Sequence, residues 1–102
     1  WLPSWLHQLD FTANLLKRSR KFTEAPSVTA KRHIKVSPFA GEPVGWIIEN
    51  VGPDMLVFAS DYPHPEGTND PIGKFERTMT DCDAATMDKF YFGNMLDLMG
   101  LS

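Results

Sequence analysis

The segment Ser60-Asp61-Tyr62-Pro63-His64-Pro65 holds the side chains best placed to do chemistry. It follows Met55-Leu56-Val57-Phe58-Ala59, an apolar run without alternation, which suits a strand buried on both faces. Where strands alternate with helices, reactive groups gather at the carboxyl ends of the strands. Asp61 stands at such an end. A carboxylate beside a low-dielectric interior is costly unless a cation, a metal ion or hydrogen-bond donors receive it. On position alone two readings are open: Asp61 belongs to a site, or it caps the turn that follows.

The other reactive side chains are scattered. His7 falls on the polar side of the first expected helix and His33 faces away from Ile34. Both read as surface or packing residues. Cys82 is the only cysteine, so the chain forms no internal disulfide and no cysteine-based zinc site. It lies in a polar turn without a basic neighbour in sequence, and is expected to be inert. Asn94, in an otherwise apolar helix pattern, is expected to make a structural hydrogen bond.

Composition sets the frame. With 42% hydrophobic and 23% charged residues the 102-residue chain reads as one ordinary globular domain. Charge is uneven: residues 1–40 carry seven Lys or Arg against Asp10 and Glu24, net +5, while residues 41–102 carry three against eleven acids, net −8. The basic third lacks interleaved aromatics and the whole chain is acidic, which argues against nucleic acid. Lys17 to Lys21 instead close a helix, where cations complement the dipole. No apolar run approaches the ~20 residues of a membrane span, and no basic-then-apolar leader opens the chain. The expectation is a cytoplasmic protein with neither membrane nor nucleic-acid partner. Because the first residue is Trp1, the chain is expected to be a fragment or a processed product.

The elements that would position Asp61 follow from spacing. Leu2, Trp5, Leu6, Leu9, Ala13 and Leu16 predict a helix from residue 1 to about 21. Glu24-Ala25-Pro26-Ser27 reads as a breaker, and Lys31 to Ser37 alternates as a short strand that Pro38 ends. Val44, Ile47, Ile48 and Val51 predict a helix opened by Pro43 and stopped by Gly52-Pro53. After the loop Tyr62 to Asp70, Asp70-Pro71 opens a further helix. Asp83 caps the last one, which carries Met87, Phe90, Tyr91, Met95, Leu98 and Met99 and ends at Gly100. This order predicts an α/β fold with two parallel strands and about four helices, needing a larger sheet around it.

Leu56-Val57-Phe58-Ala59-Ser60-Asp61-Tyr62-Pro63-His64 resembles the last strand of the amidohydrolase-related family that includes aminocarboxymuconate-semialdehyde decarboxylase. Trp1 to Asp10 resembles the helix after that family's sixth strand, Pro26-Ser27 with His33 to Ser37 its seventh unit, and Asp88 to Leu101 its closing helix. The resemblance implies the C-terminal part of a (β/α)8 TIM barrel, about its last three units, spanning residues 1–102. It implies a metal-dependent hydrolase or decarboxylase holding a divalent metal, zinc in the first instance. Asp61, carried over, is a metal ligand or lies on the metal-bound water as proton acceptor. His64 is a substrate-binding residue that lines the pocket or donates to a substrate carboxylate, or else a loop histidine satisfied by backbone. Tyr62 is expected to pack beneath the site.

The family's other ligands, a His-x-His pair and histidines after middle strands, have no counterpart here: His7, His33 and His64 stand singly. A catalytic zinc normally takes three protein ligands. The chain alone is therefore expected to be inactive and without metal, its partners being a small-molecule substrate and either the missing part of the barrel or further copies of itself. Two alternatives stay open: a non-catalytic interaction module derived from the barrel, and a small α/β binding domain in which Asp61 is a turn cap.

Overall fold

A computed structural model describes residues 1–17 and 20–101. It divides into two compact units, Trp1–Ile34 and Lys35–Ser102.

The first unit is a pair of helices, α1 over Leu2–Leu15 and α2 over Pro26–His33. Leu2 and Leu6 are the buried residues of α1, and Ala30 that of α2. The helix expected to reach residue 21 stops six residues earlier; Arg18, in the basic run expected to close it, lies outside the described residues. The expected breaker is instead a helix start, with Pro26 in the first turn, where a missing N–H costs nothing. Asp10 of α1 caps that start from outside, accepting the Ser27 N–H at 2.9 Å and the Ser27 hydroxyl at 2.7 Å. These two bonds, the hydroxyl's first, hold the Asp10 carboxyl below its usual range. Glu24 reinforces α2 by bridging to Thr29 and Arg32. The expected strand at Lys31 to Ser37 accordingly loses its first three residues to the last turn of α2, whose end Lys31, Arg32 and His33 suit electrostatically.

In the second unit α3 covers Val44–Val51, and its predicted stripe Val44, Ile47, Ile48 and Val51 is buried. Each such residue contributes roughly 1.5–3 kcal/mol of burial. Gly52, at φ 90°, ends the helix in a conformation that glycine adopts freely. Three further helices follow: α4 over Pro71–Glu76, α5 over Ala84–Asp88 and α6 over Asn94–Met99. Between α5 and α6, Lys89–Gly93 forms a π-helical turn. Asp70 and Asp83 cap α4 and α5, accepting the N–H of Gly73 at 3.0 Å and of Thr86 at 2.8 Å. Among the described residues no helix is long and apolar enough to cross a membrane.

The predicted α/β class is corrected here. Among the described residues there is no strand, and the two parallel strands expected of a TIM-barrel portion are replaced by one isolated parallel bridge between Val36 and Leu56. Val36 N–H donates to Met55 at 2.8 Å, and Val57 N–H donates to Val36 at 3.0 Å. The next bond of a parallel ladder would need an N–H at residue 38, and Pro38 has none. The other flank of the segment is taken by the closing helix. Phe58 N–H donates to the Phe90 carbonyl at 2.9 Å, and Asn94 Nδ2 donates to the Leu56 carbonyl at 2.8 Å. Met55, Leu56 and Val57 are buried as predicted; Val36 pairs with the backbone of Met55 and Val57, and the Asn94 side chain takes the Leu56 carbonyl.

The π turn makes that docking possible. Asn94 N–H bonds five residues back, to Lys89. The Phe90 carbonyl, the α-helical acceptor four residues back, is thereby left to the Phe58 N–H. Phe58, Phe75, Phe90 and Tyr91 then form a cluster of tilted and edge-to-face rings with centroids 5.2–6.0 Å apart. Lys35 fastens α6, its ammonium donating to the Asp54 carbonyl at 2.6 Å and pairing with Asp97 at 2.9 Å.

Candidate metal and substrate site

Burial falls stepwise along the segment that leads to Asp61. Met55 to Val57 are buried, Phe58 to Ser60 half-buried, and Asp61 to Glu66 exposed. Asp61 is thus where the chain leaves the core. Its backbone is left-handed, φ 55°, a region that Asp tolerates better than most side chains. The loop beyond folds back on itself: His64 N–H donates to the Asp61 carbonyl at 2.8 Å and Gly67 N–H to the His64 carbonyl at 2.9 Å. Tyr62 N–H donates to the Ser60 hydroxyl at 3.3 Å, and the Tyr62–Pro63 peptide is cis. The closure needs glycine at position 67, because a Cβ there would lie 2.4 Å from the Asp61 carbonyl oxygen.

This folding gathers three potential metal donors. One ligand atom from each of Asp61, His64 and Glu66 lies within 4.8 Å of the others. His64 Nδ1 is in direct contact with a Glu66 carboxylate oxygen. The arrangement brings together both residues singled out in the sequence, Asp61 and His64, and adds Glu66, which was not. The signal available was the spacing Asp-x-x-His-x-Glu inside one loop. Carboxylate and imidazole donors suit a borderline divalent cation such as zinc.

The remaining candidates fall elsewhere. Tyr62, expected to pack beneath the site, is 68% exposed. It lines a cleft of about 390 Å³ with Ser60, Thr68, Asn69 and Pro71. His7 and His33 are exposed residues of α1 and α2. Cys82 is half-buried, and its thiol is pushed up by burial first and then by Asp81 and Asp83, which keeps it protonated. Asn94 is buried and makes two structural hydrogen bonds, as its sequence context predicts.

No family model matches the sequence. A solved structure does. An amidohydrolase from Mycobacterium avium subsp. paratuberculosis K-10 matches 93% of this chain with a TM-score of 0.75, at 25% sequence identity. The chain shares its fold with part of an amidohydrolase. The matched part is 24% of that protein, so this chain spans about a quarter of its length. The likeness supports the amidohydrolase superfamily, the coarser of the two levels at which the sequence resemblance was drawn.

Proposed function

We propose that the chain serves as a segment, the C-terminal one, of a metal-dependent hydrolase or decarboxylase of the amidohydrolase superfamily, of the aminocarboxymuconate-semialdehyde decarboxylase-like type. The observation that carries this reading is the fold shared with an amidohydrolase over 93% of the chain. The position of Asp61, exposed where the chain leaves the core, supports it.

Asp61 would hold the divalent cation, which when bound supplies Lewis-acid polarisation of a substrate or of water. The Asp61 carboxylate would have a second task as proton acceptor, and its exposure is compatible with that task. His64 orients substrate: a ring N–H aimed away from Glu66 can donate to a substrate carboxylate. Phe92, Met95, Leu96, Leu98, Met99 and Leu101 remain exposed. In this reading the rest of the enzyme, or a second copy, covers them.

The test is turnover and metal content of the full polypeptide that contains this chain. Asp61→Asn keeps the shape and removes the charge, so turnover should fall by about 100-fold or more. Undiminished turnover returns Asp61 to the turn-cap reading.

A further inference from the structure

Phe58 is the last residue before Asp61 whose backbone is tied to another element. Its N–H donates to the Phe90 carbonyl at 2.9 Å. Among the described residues, the backbone of Ala59 and Ser60 makes no backbone hydrogen bond, and the Asp61 carbonyl is taken within its own loop, by His64. From Phe58 to Asp61 the chain advances three residues, roughly 10 Å at full extension. Before Phe58 the segment is held on both flanks, by Val36 at Met55 and Val57 and by the Asn94 side chain at Leu56. The Phe58–Phe90 bond is thus the final fixed point from which Asp61 is presented. It exists because the Asn94 N–H bonds five residues back, to Lys89, and leaves the Phe90 carbonyl free of its own helix. Phe92, inside that turn, is 53% exposed, so core packing at this side chain does not call for the longer turn. What the turn delivers is a free carbonyl beneath the segment that carries Asp61.

We infer that the π turn is a positioning device for Asp61, and that Phe90 is a positioning residue acting through its backbone carbonyl. The inference rests on the proposed role of Asp61 and deepens it, by naming the group that sets where the carboxylate stands. Chemistry at a side chain demands placement within about 0.5 Å, held by groups behind it. The ring of Phe58 packs 5.7 Å from that of Phe75 and 6.0 Å from that of Phe90, centroid to centroid. Apolar contact is non-directional and tolerates sliding, whereas a hydrogen bond weakens steeply off its line and so fixes the register of the segment. The sequence allows the two to be separated. Removing Phe92 puts Asn94 four residues after Lys89 and Met95 four residues after Phe90, the spacing of an α-helix. Asn94 then keeps its acceptor, the Phe90 carbonyl is claimed by Met95, and the Phe58 N–H loses its partner. Phe92→Ala keeps the length of the turn and therefore the free carbonyl.

The experiment is the zinc affinity of the full polypeptide that contains this chain, stripped of metal and titrated with zinc chloride against a fluorescent chelator, with urea unfolding of each variant alongside. Deletion of Phe92 should weaken zinc binding at least about tenfold, the scale expected when a group that orients a metal ligand is lost. Phe92→Ala should bind as the parent does. Val51→Ala, which loses burial in α3, should unfold at lower urea yet also bind as the parent does. Asp61→Asn should weaken binding, which checks the reading beneath the inference. Where the deletion does not fold, the α-hydroxy analogue of phenylalanine at position 58 takes its place: the resulting ester keeps the ring, removes only the N–H, and should weaken binding by the same factor. Parent-like affinity without the Phe58–Phe90 bond, in a protein whose Asp61→Asn variant binds weakly, overturns the inference and leaves the role of Asp61 intact. An equal loss in Phe92→Ala or Val51→Ala overturns it too, since side-chain packing or stability would then be the cause. Parent-like affinity in Asp61→Asn overturns the reading of Asp61 and the inference with it.

Discussion

Asn94 Nδ2 donates to the Leu56 carbonyl at 2.8 Å, joining the start of the last helix to the segment that delivers Asp61. The same nitrogen donates to the Pro53 carbonyl at 2.7 Å. Asn94 is 4% exposed and Leu56 1%, so water cannot replace the bond to Leu56. Asn94→Ala should leave the buried Leu56 carbonyl short of a donor and cost about 1–3 kcal/mol of unfolding free energy. Urea denaturation followed by tryptophan fluorescence measures it. A loss within about 0.5 kcal/mol, the usual scale of a surface substitution, would show that the pair does not hold the helix in place.

Phe75 has no exposed surface and sits 5.2 Å from Phe90 and 5.7 Å from Phe58, centroid to centroid. Removing the ring opens a cavity in the aromatic cluster. Phe75→Ala should cost about 3–5 kcal/mol. Ile72→Ala, on the same helix but 53% exposed, should stay within about 0.5 kcal/mol. Because Phe58 lies three residues before Asp61, hydrogen exchange at residues 60–67 should also quicken in Phe75→Ala. Equal melting curves for the two variants would refute the packing assigned to this cluster.

Glu24 is held down to about 2 by its hydrogen bonds to Arg32 first and Thr29 second. A carboxyl depressed in the folded state stabilises the fold above its ordinary, unfolded value. That contribution disappears as pH falls from the ordinary glutamate range through about 2. The helicity of α2 should therefore decline over that acidic window, and Glu24→Gln should remove this part of the decline. Carbon-detected titration of the Glu24 carboxyl should place its midpoint near 2; a midpoint in the ordinary glutamate range would show that the bridge is not formed in solution.

Much of this was legible in local patterns. The buried stripe of α3, the Asp70 and Asp83 caps, the glycine stops at Gly52 and Gly100 and the structural role of Asn94 follow from spacing and side-chain chemistry. What failed was non-local. Alternation in Lys31 to Ser37 argued for a strand, but Asp10, sixteen residues before Pro26, caps α2 and extends helix across Lys31 to His33. A buried apolar run at Met55 to Ala59 suggested a sheet, yet sheet membership depends on partners. Here Pro38 ends the pairing with Val36, and Phe90 and Asn94 satisfy the other flank. Asp61 and His64 were visible because their loop is contiguous. The proximity of Glu66 to His64 was not legible, because no rule marks a glutamate in a polar loop until the turn brings it there.

The backbone at Asp61 separates its structural contribution from its chemical one. At φ 55° a β-branched side chain is strained, an Asp or Asn is tolerated, and glycine is at ease. Asp61→Val should therefore lose about 1–2 kcal/mol of stability from the left-handed conformation alone. Asp61→Asn should be close to neutral, and Asp61→Gly should match or exceed the parent by up to about 1 kcal/mol. All three lack the carboxylate, so in the full enzyme all three should lose turnover to a similar degree, about 100-fold or more. Stability that ranks Gly, Asn, Val alongside turnover that does not rank at all is the pattern expected of a chemical carboxylate on a strained turn. If turnover instead follows stability across the three, Asp61 acts by shaping the loop, and the proton acceptor must be sought on another residue.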